Sequence, residues 1–153
     1  YILDGVLHNS TLPQFFLEKI VNADQDSVCD LLSNYQNYEK LLPQHFPSVL
    51  IRSVREHSSV TEEHMNFGGQ ELIIMAKHVI SKPFSHDIFV IGGDAKGSHI
   101  KQQFIKISEG TKILVDIDLK LKGKMKISNM FGKNQFEEDY AVILDDFAKI
   151  VEN

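Results

Sequence analysis

Phe136, Tyr140, Ile143, Phe147 and Ile150 recur at spacings of four, three, four and three residues, so a C-terminal helix here carries one apolar, aromatic face. Glu137, Glu138, Asp139, Asp145 and Asp146 fall on the other side. A helix divided in this way has to lay its stripe against a large apolar partner, and that requirement constrains the rest of the chain. Ser128 is placed to cap its N-terminus.

The partner lies in the middle of the chain. From Val49 the hydrophobic period becomes strand-like, and turn signals at Ser58-Ser59, Gly68-Gly69, Lys82-Pro83, Gly92 to Gly97 and Glu109-Gly110 delimit six consecutive strands. In the last of them Ile113, Val115, Ile117, Leu119 and Leu121 alternate with Lys112, Asp116, Asp118, Lys120 and Lys122, giving one buried and one wet face. Phe15 to Asn22 reads as an earlier strand. Asp24 then caps a helix with Asp26 in its first turn and Val28, Leu31 and Leu32 as its buried stripe. A second short helical segment covers Tyr35 to Leu42 and stops before Pro43. The expected fold is α+β: a seven-stranded curved antiparallel sheet wrapped around a long C-terminal helix, with two short helices between strands 1 and 2. Where a curled sheet diverges from the helix crossing it, a cavity is expected.

A chain of 153 residues, 42% of them apolar, is sized for one domain with a real core, expected over 14–153 behind an N-terminal extension, 1–13. A first residue that is Tyr rather than Met suggests that residues precede it. The net charge of -5 does not make the basic footprint of a nucleic-acid binder, so no nucleic-acid partner is expected. One local exception is the cluster Lys120, Lys122, Lys124, Lys126 and Lys133, which suits peripheral contact with an anionic membrane or, in another reading, a protein partner. Apolar runs such as Leu72 to Ala76 are far shorter than the ~20 residues of a membrane-spanning helix, and no signal-peptide pattern opens the chain. The lone Cys29 sits in an apolar helical pattern as a small hydrophobe, so a reducing, cytoplasmic setting is expected.

The stretch Ala23 to Pro43, ADQDSVCDLLSNYQNYEKLLP, resembles the first helix and tyrosine-containing turn of the START-like, or helix-grip, superfamily, down to its closing Leu-Pro. That superfamily includes polyketide cyclases, coenzyme Q-binding proteins, birch-pollen-type allergens and lipid-transfer domains, and element order extends the likeness over roughly 14–152. The chain has no Trp, and the Gly-Pro-Phe and Trp-Phe patterns of the coenzyme Q branch are absent. The resemblance therefore implies a cavity for a hydrophobic small molecule or lipid and no particular reaction.

Register then nominates the cavity's residues. With Glu109-Gly110 as a two-residue turn, Phe104 falls opposite Val115 and Gln102 opposite Ile117, so Ile100, Gln102 and Phe104 face inward. Leu72, Ile74, Ala76, His78 and Ile80 form the inner set of strand 4, and Phe84, His86, Ile88 and Val90 that of strand 5. The expected ligand-binding residues are His78, His86, Gln102, Phe104, Val115, Ile117, Phe136, Tyr140, Ile143 and Phe147, a few polar groups converging on apolar walls. A histidine there has the pKa for general acid–base work, which opens a cyclase or dehydratase reading on an aromatic or polyketide-like substrate. No partner at a telling spacing orients His78, so no residue is assigned a catalytic role. Arg52 and Glu63 are expected to pair on the inner side of the strand 2–3 hairpin, and Arg55 with Glu62 on the outer. The histidines lack metal-ligand spacing, and Gly92 to Gly97 lacks the phosphate-loop pattern, so neither metal nor cofactor is expected.

Overall fold

A computed structural model describes residues 14–152, with side chains for all of them except 124–134. The segment Tyr1 to Pro13 and the side chains of Lys124, Lys126 and Lys133 lie outside the described residues. Strand β1 (Gln14–Val21) leads into helix α1 (Gln25–Leu32), a 3-10 turn (Tyr35–Asn37) and the short helix α2 (Tyr38–Leu41). Then come β2 (Ser48–Val54), β3 (Ser58–Phe67), β4 (Gln70–Ser81), β5 (Ser85–Gly93), β6 (His99–Ile107) and β7 (Gly110–Asp118), and the long helix α3 (Lys124–Glu152). The seven strands form one antiparallel sheet in the order β1-β7-β6-β5-β4-β3-β2, so β1 closes the meander at its far edge, with Gln14 opposite Asp118 and Val21 opposite Thr111. Helix α3 packs its stripe against the inner face, burying Phe136, Tyr140, Ile143 and Phe147 together with Leu144 and Ala148. Among the described residues no helix is long and apolar enough to cross a membrane.

Local chemistry sets these boundaries. The Asp24 side chain accepts from Ser27 N at 3.1 Å and from Ser27 Oγ at 2.7 Å, which caps α1 and holds the carboxyl below its ordinary range. Leu42 ends α2 immediately before Pro43. The β3–β4 turn uses Gly68 and Gly69, both at positive φ, and their backbone N–H groups donate to Asp139 Oδ2 of α3 at 2.6 and 3.2 Å. A Cβ at Gly68 would lie 2.1 Å from the Phe136 ring, so this turn and the helix lock together only through glycine.

Three expectations are corrected. The last hairpin turns on Ser108-Glu109, pairing Ile107 with Gly110, because Gly110 at φ +139 begins β7 and its Cβ would strike Val21 O at 2.3 Å. Gln102 therefore faces Val115, and Phe104 faces Ile113; a slip of two residues keeps every side chain on its expected face. Ser58 and Ser59 belong to β3 rather than to a turn, and a bulge between Ile51 and Ser53 shifts the register of β2. Arg52 consequently points outward to Glu62 at 2.5 Å, which leaves Glu63 on the inner face and Arg55 on the outer each without its expected partner. Helix α3 starts at Lys124, so Ser128 lies within its first turns and not at its cap.

Candidate functional site

Strand alternation brings polar side chains from four strands to one part of the inner face. On β3 the odd positions Ser59, Thr61 and Glu63 share that face with Met65 and Phe67, and all are buried. His78 on β4, His86 on β5 and Gln102 on β6 follow across the sheet, each at most 1% exposed. They form one hydrogen-bonded chain. Glu63 Oε2 meets His78 Nε2 at 2.6 Å, His78 Nδ1 meets His86 Nε2 at 2.8 Å, and His86 Nδ1 meets Gln102 Oε1 at 2.8 Å. Gln102 Nε2 donates to the Tyr140 hydroxyl of α3 at 2.8 Å. Thr61 Oγ1 donates to Glu63 Oε2 at 2.5 Å. The Tyr35 ring stacks on His78 with centroids 4.5 Å apart, and Ser59 and Tyr35 are hydrogen-bonded through their hydroxyls.

The direction of this chain fixes its protons. With Gln102 Oε1 facing His86, Nδ1 of His86 carries hydrogen. Burial, and then the charge on His78, push the His86 pKa down to about 3, so the ring is neutral and its Nε2 accepts. His78 Nδ1 must then donate, and one further proton is shared between His78 Nε2 and Glu63, leaving the network without net charge. Turning the Gln102 amide over would reverse the bonds between His78 and His86, His86 and Gln102, and Gln102 and Tyr140, and would set a neutral His78 against an ionised, buried Glu63, a net charge that desolvation disfavours. Burial also pushes the Tyr140 phenol well above its ordinary value, with the Glu63 charge adding to the effect, so Tyr140 stays an O–H donor. Tyr38 is raised in the same way by burial, and its hydroxyl donates to Leu32 O.

Glu63, Gln102 and Tyr140 border an internal cavity between the sheet and α3. Its apolar walls are Met65, Ile74, Ile88 and Ile100 from the sheet, Ile143 and Phe147 from α3, and Tyr38 and Phe46 from the α1–β2 connection. The space measures about 20 Å³, room for one oxygen-sized group. The aromatic stripe fills most of the volume that a curved sheet would otherwise leave. A second depression, of about 140 Å³, is bordered by Tyr35, Ser59, His78 and Ile80.

A family model described as polyketide cyclase / dehydrase and lipid transport matches residues 21–148. The chain belongs to that family. Solved structures agree in fold. The Zhui aromatase/cyclase from a Streptomyces species superposes with a TM-score of 0.80 at 11% identity, covering 92% of this chain and 94% of that one. A protein from Thermus thermophilus gives 0.78 at 13% identity, with 91% and 97% covered. A START superfamily protein from Mycobacterium smegmatis gives 0.71 at 14% identity, with 92% and 97% covered. At such identities the likeness is one of fold alone. No curated protein matches the sequence significantly.

In this polyketide cyclase / dehydrase and lipid transport family member, the ten expected ligand-binding residues divide. Gln102, Tyr140, Ile143 and Phe147 border the cavity. His78 and His86 stand behind it, in the polar chain. Phe104, Val115 and Ile117 are core residues on β6 and β7 away from it, and Phe136 packs on Phe67 at 4.9 Å. Phe84, expected on the inner wall, is 62% exposed, because β5 begins only at Ser85. Glu63 lies on the expected face but pairs with His78 in place of Arg52. Counting back in twos from Met65 and Phe67 finds its face, whereas its contact with His78 requires the β3–β4 register, which pairs Glu63 with Ile74 and Thr61 with Ala76. Tyr35, Tyr38 and Phe46 carried no periodic signal and entered through the connection between α1 and β2.

Proposed function

We propose that this protein binds a hydrophobic small molecule or lipid between the concave sheet and α3, with the polar chain orienting an oxygen of the ligand. The carrying observation is that the polar residues Glu63, Gln102 and Tyr140 border an otherwise apolar enclosure. Membership of a family described by lipid transport supports the same reading. A drug-sized guest occupies several hundred Å³, so binding here displaces side chains, with Phe46, Met65 and Phe147 the walls that yield. Native mass spectrometry of gently purified protein tests it: a co-purifying apolar molecule, or saturable uptake of an added lipid or aromatic dye, is expected. Failure of every such probe to bind at high micromolar concentration removes the proposal.

A second reading, a cyclase- or dehydratase-type enzyme, is favoured by the Glu63–His78 contact, in which a buried carboxylate and an imidazole share a proton beside the cavity. Protein-dependent loss of water from an aromatic β-hydroxyketone, abolished in His78→Phe while ligand uptake persists, is the expected signature. Equal rates with and without protein would end this reading.

A further inference from the structure

Resting on the proposal that a hydrophobic molecule enters this cavity, the hydrogen-bond inventory of its polar corner says which functional group that molecule carries. Thr61 and His78 both meet Glu63 at Oε2, so among the described residues Glu63 Oε1 accepts no hydrogen bond. Tyr140 accepts at its oxygen from Gln102, and among the described residues its own O–H hydrogen has no acceptor. One free acceptor on a carboxylate and one free donor on a phenol thus belong to Glu63 and Tyr140, two residues that border the same small space. The other polar groups in reach are already committed: Gln102 bonds at both ends, and the Tyr38 hydroxyl donates to Leu32 O.

We infer that the site selects a neutral hydroxyl-bearing ligand, an alcohol or phenol, which donates to Glu63 Oε1 and accepts from the Tyr140 hydroxyl. A hydroxyl is both donor and acceptor, so it is a single neutral group that satisfies both. A hydrocarbon would seal the corner with both groups unsatisfied. A ketone or ether would satisfy Tyr140 only. A carboxylate would place a second negative charge against Glu63 in a site without a free cationic side chain on its border, so fatty acids and aromatic acids are rejected. Selectivity lies in the corner and affinity in the walls.

Titration calorimetry with naphthalene, 2-naphthol and 2-naphthoate at neutral pH separates these cases, because the three share one ring system. 2-Naphthol is expected to bind at least about tenfold tighter than either of the others. In Tyr140→Phe the advantage of 2-naphthol over naphthalene shrinks to about threefold or less. In Glu63→Gln the discrimination against 2-naphthoate falls by about tenfold. Circular dichroism checks that Glu63→Gln folds, and if it does not, the Tyr140→Phe comparison carries the test alone. The inference is overturned if 2-naphthoate or naphthalene binds the wild-type protein as tightly as 2-naphthol, a result that leaves hydrophobic binding standing. If none of the three binds up to its solubility limit, the binding proposal falls and the hydroxyl preference with it.

Discussion

The inner face of the sheet has two halves that are equally buried and chemically opposite. On β1 and β7, Phe15, Val21, Ile113, Val115 and Ile117 are at most 4% exposed and wholly apolar. On β3 to β6, Ser59, Thr61, Glu63, His78, His86 and Gln102 are at most 4% exposed and polar. Apart from the single local bond of Thr111 to Ala23 O, the first half needs nothing but volume and shape to be stable. The second is tolerable only because Thr61, Glu63, His78, His86 and Gln102 bond in succession while Ser59 bonds to Tyr35, so its stability is a property of the network and not of any residue in it. A core that only had to hold helix α3 in place would not need the second half. Its position beside the cavity is what the proposed ligand recognition rests on.

The largest effect that separates the halves is expected from His78→Ala. It strands Glu63 as a buried carboxylate without its partner and removes a donor from His86, at a cost of about 3–5 kcal/mol. Urea unfolding at unchanged slope measures it. A loss below about 1 kcal/mol would mean that water relieves Glu63 and that the polar half is not dry. Next come matched truncations, Ile143→Ala beside the cavity and Ile113→Ala in the apolar half, each costing about 2–5 kcal/mol. Only Ile143→Ala enlarges the ligand space, so only it is expected to tighten binding of a bulky hydrophobic probe. Equal gains from both variants would erase the distinction between the halves as far as ligand is concerned.

That distinction was partly legible in the sequence. Strict alternation in β7 announces the apolar half, and the four-three spacing of α3 announces the stripe that packs on the sheet, because burial on one face leaves a periodic trace. His78, His86 and Gln102 were also placed inward by alternation, and this survived a hairpin misplaced by two residues, since the side-chain period is two. The links between them were not legible. Glu63 reaches His78 only because β3 pairs with β4 in a register set by the Gly68-Gly69 turn, and Arg52 is taken out of contention by a bulge in β2. Whether the aromatic stripe lines or fills the cavity depends on rotamers and on Phe46 and Tyr38 arriving from an irregular connection. Packing of that kind has no sequence period.

Acid should also distinguish the halves, through His86. In the folded protein its pKa is lowered to about 3, against an ordinary value of 6.5 in the unfolded chain. Below about pH 6.5 the unfolded chain binds a proton that the folded one refuses, so stability is complete above that pH and is lost as pH falls toward 3. The expected slope is about 1.4 kcal/mol per pH unit for this one group. Thermal melts between neutral pH and pH 4 follow it, and His86→Gln should flatten the profile in that window. An unchanged profile would assign the acid sensitivity to the exposed ion pairs instead.

The smallest effect sharpens the comparison by moving a single hydrogen bond within the apolar half. Thr111, fully buried on β7, donates from Oγ1 to Ala23 O at 2.8 Å and belongs to no chain of side-chain bonds. Thr111→Val keeps the shape and removes that bond, so it should cost about 1 kcal/mol and leave ligand binding untouched. Gln102→Leu is the counterpart in the polar half, where one residue holds both His86 Nδ1 and Tyr140. It should cost more than Thr111→Val and also alter binding, because losing the middle of a chain frees a donor on one side and lets the tyrosine hydroxyl turn on the other. If the two variants cost the same and neither changes binding, the polar half is a set of independent local bonds, and its closeness to the cavity has no functional meaning.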